Sequence, residues 1–140
     1  MIPSGMPRPP HYPSAFHFCI GGYFGGYETW KLREGQVVIC KDDHKHEPEE
    51  YCCCPSAADW QIFWETIEEL GVWQWQRRYD TLGILDGTDW SLTLRYEKQR
   101  LRTSGCNGYP QAKGAGSTYE RSGLEAFVQA LGRLTGKTSD

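Results

Sequence analysis

No stretch of this 140-residue chain approaches the roughly 20 consecutive apolar residues that a membrane-spanning helix needs. Charge of one sign is lacking as well. Fifteen Lys and Arg against eighteen Asp and Glu leave a formal charge of −3, which gives no global reason to expect nucleic acid or an anionic membrane. The opening MIPSGMPRPPHYPSAF has only Arg8 for charge, no apolar centre, and four prolines in its first ten residues. It predicts a tail over 1–14 rather than a secretory leader, and hence a cytoplasmic chain whose six cysteines stay mostly reduced. Catalytic signatures are absent too. There is no G-x-S-x-G elbow, and His11, His17, His44 and His46 lie in a tail, a strand and a loop with no nucleophile indicated beside them. No enzyme is expected.

Aromatic residues, by contrast, are abundant at 14%, including six Trp and eight Tyr. Large rings build a core from few residues, and they also anchor interfaces. Alternation predicts strands over 15–20, 27–33 and 36–41, with Glu34-Gly35 as the turn between the last two. Residues 41–55 (KDDHKHEPEEYCCCP) are polar, without period, and end in proline; they read as a loop. Ser56 with Asp59 resembles a capping box, and Trp60, Phe63, Trp64, Ile67 and Leu70 fall on one face of a helix over about 57–70, ended by Gly71. Alternation through 72–79 reads as another strand. A hairpin follows, with Trp90, Leu92, Leu94 and Tyr96 to one side and a return strand over 100–104. Residues 105–123 read as loops, with Tyr109-Pro110 a candidate for a cis bond. Leu124, Phe127, Val128, Leu131 and Leu134 predict a terminal helix stopped by Gly136.

The glycines of IGGYFGGYETW (20–30) ask to be read as a phosphate cradle, but they join strand to strand. A cradle needs a helix N-terminus, with its row of free N–H groups. The stretch is instead a glycine-hinged bend with Tyr23 and Phe24 at its tip, where two rings can meet a partner. GKT at 136–138 fails as a P-loop, because Leu131 stands where the first glycine belongs and the motif follows a helix. Cys40, His44, His46, Cys52 and Cys54 bring zinc-type ligands into fifteen residues. Their spacing matches no paired finger pattern, so the alternative is an acidic loop with buried thiols. Arg95, Arg100 and Arg102 all point outward by alternation. They would form a basic sheet face able to grip an acidic protein or a single-stranded nucleic acid, or simply be solvated.

The order of these features resembles that of small uncharacterised bacterial cytoplasmic proteins: GGYFGG, an amphipathic helix, DGTDW opening a strand, a glycine–proline loop and a Leu-rich last helix. More distantly it is similar to the emfourin family, proteinaceous inhibitors of thermolysin-like metallopeptidases, which carry a GGFAG-like stretch near the first strand, a DG-x-x-aromatic strand start and a final helix. The Trp-rich 60–75 region, YCCC and GCNGYP have no counterpart there. The resemblance implies an inhibitory or binding role and carries over no inhibitory residue.

Together these readings predict one α+β domain over 15–136, flanked by tails at 1–14 and 137–140. It would hold an antiparallel sheet of about five to six strands with two helices packed on one face. The expected role is a non-enzymatic protein-binding module, an inhibitor or antagonist of an enzyme or defence complex. Its contacts would be Tyr23, Phe24, Asn107, Tyr109, Asp42, Asp43 and Glu47. A zinc-dependent module on the Cys/His loop is the alternative, and nucleic-acid binding through Arg95, Arg100 and Arg102 ranks third.

Overall fold

A computed structural model describes residues 11–22, 26–43, 45–80, 88–110, 116–118 and 122–136. Four strands come first: β1 (Ala15–Gly22), β2 (Gly26–Arg33), β3 (Gln36–Asp42) and β4 (Glu49–Cys53). The turn from β2 to β3 places Glu34 at φ 52° and Gly35 at φ 80°. Two successive left-handed residues give the tight hairpin turn whose twist matches its strands. Helix α1 (Ala57–Leu70) follows, then a short 3₁₀ turn (Val72–Gln74) and β5 (Arg78–Asp80). The β6 (Thr88–Tyr96) and β7 (Gln99–Cys106) hairpin comes next, then β8 (Tyr109–Pro110), β9 (Ser117–Thr118) and α2 (Ser122–Thr135).

Seven of these strands form one open sheet in the order β4-β3-β2-β1-β6-β7-β5, and β8 pairs with β9 apart from it. Every neighbouring pair in the large sheet is antiparallel except β5 with β7. The expected α+β architecture is therefore present, with seven strands where five or six were foreseen. One of the added strands is β4, which lies in the segment read as a loop. Only Tyr51 and Cys53 of β4 face the core, which is too little apolar pattern to register in sequence; pairing to Val37 and Ile39 holds the strand.

Helix α1 begins as its sequence requires. The Ser56 hydroxyl accepts from Asp59 N (3.1 Å) while the Asp59 carboxylate accepts from Ser56 N (2.9 Å), so two otherwise orphan donors are satisfied. Gly71, at φ 72°, caps the other end and turns the chain. That turn is why 72–79 does not continue as a strand. Residues 72–74 coil into the 3₁₀ turn, Trp73 stacks on Trp64 (6.2 Å between ring centres), and only 78–80 join the sheet.

Both helices cover the same face. Phe18 of β1 meets Phe127 of α2 edge-on at 5.1 Å, Phe16 meets Phe63 of α1 at 6.5 Å, and Tyr96 of β6 stacks on Trp64 at 4.0 Å. Phe127 sits centrally, touching Phe63 (6.1 Å) and Trp75 (5.8 Å) as well. Each such pair contributes about 0.5–1.5 kcal/mol beyond its buried area. Two glycines let this layer close. The Trp90 indole lies across Gly105, its cross-strand neighbour, and donates to the Gly108 carbonyl at 2.8 Å. The Tyr109–Pro110 peptide is trans, which corrects the expected cis bond; both residues are buried where β8 packs beside α2.

Candidate functional site

The face of the sheet turned away from the helices holds the chemistry. Strand register aligns its side chains into rows that run across the strands. The central row is Glu50–Cys40–Thr29–Cys19–Ser91–Ser104–Arg78, one residue from each strand. All five inner members are small. Thr29 donates to the Cys19 sulfur (3.7 Å), Cys40 to Glu50 (3.7 Å) and Arg78 to Ser104 (2.9 Å), which ties the row together.

Charge is sorted to either side of this row. Toward the start of β1 lie Lys31, His17, Thr93 and Arg102, then Arg33, Arg95 and Arg100. Arg95 and Arg100 stand directly opposite one another, a like-charge cross-strand pair that costs stability. Among the described residues, Lys31, Arg95, Arg100 and Arg102 make no salt bridge. Toward the end of β1 lie Asp42, Tyr27, Gly21, Asp89, Cys106 and Asp80. Here Cys106 is flanked by two aspartates, and the Asp89 carboxylate accepting from its thiol pushes the Cys106 pKa up. Asp80 also accepts from Cys106 N (3.0 Å) and from Arg78 Nε (2.8 Å), and that second bond raises Arg78.

Two further contacts shape the face. Arg33 reaches Glu50 at 3.2 Å, passing diagonally across the register position of Val38, which is fully buried although it points away from the helices. The aliphatic stem of an arginine covers apolar surface in this way while its head stays in water. At the other end the Tyr27 ring lies against Gly21, filling the place a β-carbon would take. Tyr27, Cys19, Ser91, Ser104, Arg78 and Asp89 line a shallow depression of about 340 Å³ at the centre of the face.

Beyond the acidic end, Glu28, Lys41, Asp42, Asp43, His46, Glu47 and Glu49 line a groove of about 270 Å³ beside Tyr27. Asp43 organises it. One of its oxygens accepts from the N–H groups of Lys45 and His46, each at 2.9 Å, and the other meets His46 Nδ1 at 2.8 Å. The His46 ring and these backbone donors hold the Asp43 pKa well below the usual carboxylate range, and Asp43 in turn raises His46.

The residues singled out from sequence are thus distributed unevenly. Arg95, Arg100 and Arg102 are exposed and together, as alternation predicts, and Asp42, Asp43 and Glu47 share one groove. Tyr23, Phe24 and His44 lie outside the described residues. Asn107 and Tyr109 are buried at 7% and 1% exposure. Asn107 has φ 57°; its side-chain oxygen accepts from Thr88 N (3.0 Å) and its own N–H bonds to Thr88 O (2.9 Å). It therefore ties the start of β6 to the end of β7. Cys40 and Cys52 sit on the open face of neighbouring strands, Cys54 follows β4, and His46 is bound to Asp43. Among the described residues, no three of His, Cys, Asp and Glu gather to hold a metal ion.

His17, Lys31 and Arg33 at one end, and Asp80 and Asp89 at the other, escaped the sequence reading. Each faces outward by alternation. Their grouping follows from β1 pairing with β6, seventy residues away, which no local pattern announces. No family model matches the chain, and no curated protein matches it. Among the described residues, no helix is long and apolar enough to cross a membrane.

Proposed function

We propose that this protein is a non-enzymatic protein-binding module that works through the open face of its sheet. The observation that supports this reading is the sorting of charge about a row of small residues: at one end Lys31, Arg95, Arg100 and Arg102, which make no salt bridge among the described residues, and at the other Asp42, Asp89 and Asp80, the last of them bridged to Arg78. A fold gains nothing by placing Arg95 opposite Arg100, whereas a partner of complementary charge gains both affinity and orientation from it. An inhibitory role, as the resemblance to the emfourin family implies, is one form that such binding takes.

Nucleic acid is the second reading, favoured by the same arginines. It is the weaker one. Single-strand binding uses large exposed rings beside the cations; among the described residues Tyr27 lies at the acidic end of this face, against Gly21, and the basic end holds only the smaller His17 ring. Capture from a host lysate with the wild type and with an Arg95→Glu/Arg100→Glu/Arg102→Glu variant tests the proposal. A protein retained by the wild type and lost by the folded variant is expected; a partner retained equally by both overturns the open-face reading. Steeply salt-dependent oligonucleotide binding, lost in the variant, would replace it with the nucleic-acid reading.

A further inference from the structure

Resting on the open-face reading, we propose that the partner this face fits is a second copy of the same chain, docked sheet to sheet about a two-fold axis along the central row. A two-fold axis lying in the interface, across the strands, leaves each strand over its own counterpart and reverses its direction. The basic end of one copy then covers the acidic end of the other. Arg102 comes over the partner's Cys106, beside Asp89, and Lys31 over the partner's Tyr27, beside Asp42, each contact made twice; Arg95 and Arg100 lie one row further out at the same end. Unlike a pattern of one sign, this one is complementary to itself.

Three further observations fit that docking. The row on the axis carries Thr29, Cys19 and Ser91 at its centre, side chains short enough for two sheets to approach closely. The charged residues at the ends of the row, which would meet their own copies, are already neutralised within the chain: Glu50 by Arg33 and Arg78 by Asp80. The area also suffices. Seven strands about 4.8 Å apart and three to nine residues long present a face that fits within roughly 30 by 27 Å, so docking over nearly all of it approaches the ~800 Å² that each side of a standard interface buries. A foreign acidic protein would satisfy only the basic end.

Sedimentation of the full chain across concentration and salt tests this. The wild type is expected to be dimeric at low salt and to dissociate as the ionic strength rises past about 0.1 M, where the Debye length falls to ~10 Å. Arg95→Glu/Arg100→Glu/Arg102→Glu and Asp42→Lys/Asp89→Lys should each be monomeric, with self-association weakened at least about 100-fold. Mixed in equal amounts they should form a dimer of one copy of each. Circular dichroism identifies a variant that has merely unfolded; single reversals at Arg102 and Asp89 then take its place in the mixture. A wild type that stays monomeric at low salt, a dimer that either folded variant leaves intact, or folded variants that do not pair on mixing would each overturn the two-fold docking. In the first of these cases, loss of a captured foreign protein in the arginine variant would leave the open-face reading standing. If dimers form as expected and no foreign protein is captured, both readings hold, with self-association as the binding.

Discussion

The two faces of the sheet are built from the same strands and obey opposite rules. Toward the helices, Phe16, Phe18, Trp30, Trp90, Leu92 and Leu94 are buried, and rings meet rings at 4.0–6.5 Å. Away from them, small hydroxyl and thiol side chains separate two fields of opposite charge. One face stabilises the domain, and its energy depends on close packing of shapes. The other adds little to folding and even works against it where Arg95 faces Arg100. The alternation of a strand is what allows the two to be tuned independently: a change on one face leaves the other nearly untouched.

That independence can be broken or sharpened by mutation. Phe127→Ala removes the ring at the centre of the aromatic layer and should cost about 3–5 kcal/mol, whereas Thr29→Ala on the central open row should stay within about 0.5 kcal/mol. Urea unfolding of both variants measures the contrast, and equal losses would break it. Gly105→Ala places a methyl group against the Trp90 indole and the carbonyl oxygens of Gly108 and Tyr79. Two of those three neighbours are backbone, so a loss of about 2–3 kcal/mol is expected in the same assay.

A finer comparison lies within the aromatic layer. Trp90 and Trp75 meet edge-on at 5.9 Å, yet only the Trp90 indole N–H has a hydrogen-bond partner. Trp90→Phe leaves the Gly108 carbonyl without its donor and should cost about 1–2 kcal/mol more than Trp75→Phe, which removes a buried N–H that was already unsatisfied. Denaturation midpoints at constant m-value would show the order, and its reversal would mean that the hydrogen bond is not what distinguishes the two sites.

The smallest effect belongs to the polar groove. Asp43 is held below its ordinary pKa, so its contribution is present above about pH 4 and is lost as pH falls through the depressed folded value. His46 is raised, so its contribution is full below about pH 6.5 and is lost as pH rises through the raised folded value. The pair therefore acts most strongly between about pH 4 and 6.5. Asp43→Asn should lower the His46 pKa toward its free value, read from the ring proton shifts in an NMR titration. An unchanged titration would show that the contact does not form in solution.

Much of the covered face was legible in the sequence. The α1 stripe from Trp60 to Ile67, the Ser56–Asp59 capping box and the inward row of β6 are local patterns, repeated every 3.6 or every two residues, and each reappears in place. What failed was local as well. β4 has two core-facing residues in a polar segment, and 72–79 alternates without pairing along its length. A strand is defined by its neighbour, and neither segment names its neighbour. The same reason hid half of the open face. Arg95, Arg100 and Arg102 share one hairpin and could be grouped from sequence, but Lys31 and Arg33 join them only through β1.

By itself, then, the sequence determined which side chain points to which side in β1, β2, β3, β6, β7 and the two helices, because the backbone period dictates that residue by residue, but not in β4 or over 72–79. It also excluded a phosphate cradle at residues 20–30, since strand follows strand there. The order of the strands and their register belong to the tertiary structure. Pairing β1 with β6 in one register places seven small or bridged residues in a single row and drives the cations and carboxylates to opposite ends. A slip of one residue would send each of those side chains to the helix side. The buried rings forbid that slip, and so the packing of one face decides the charge pattern of the other.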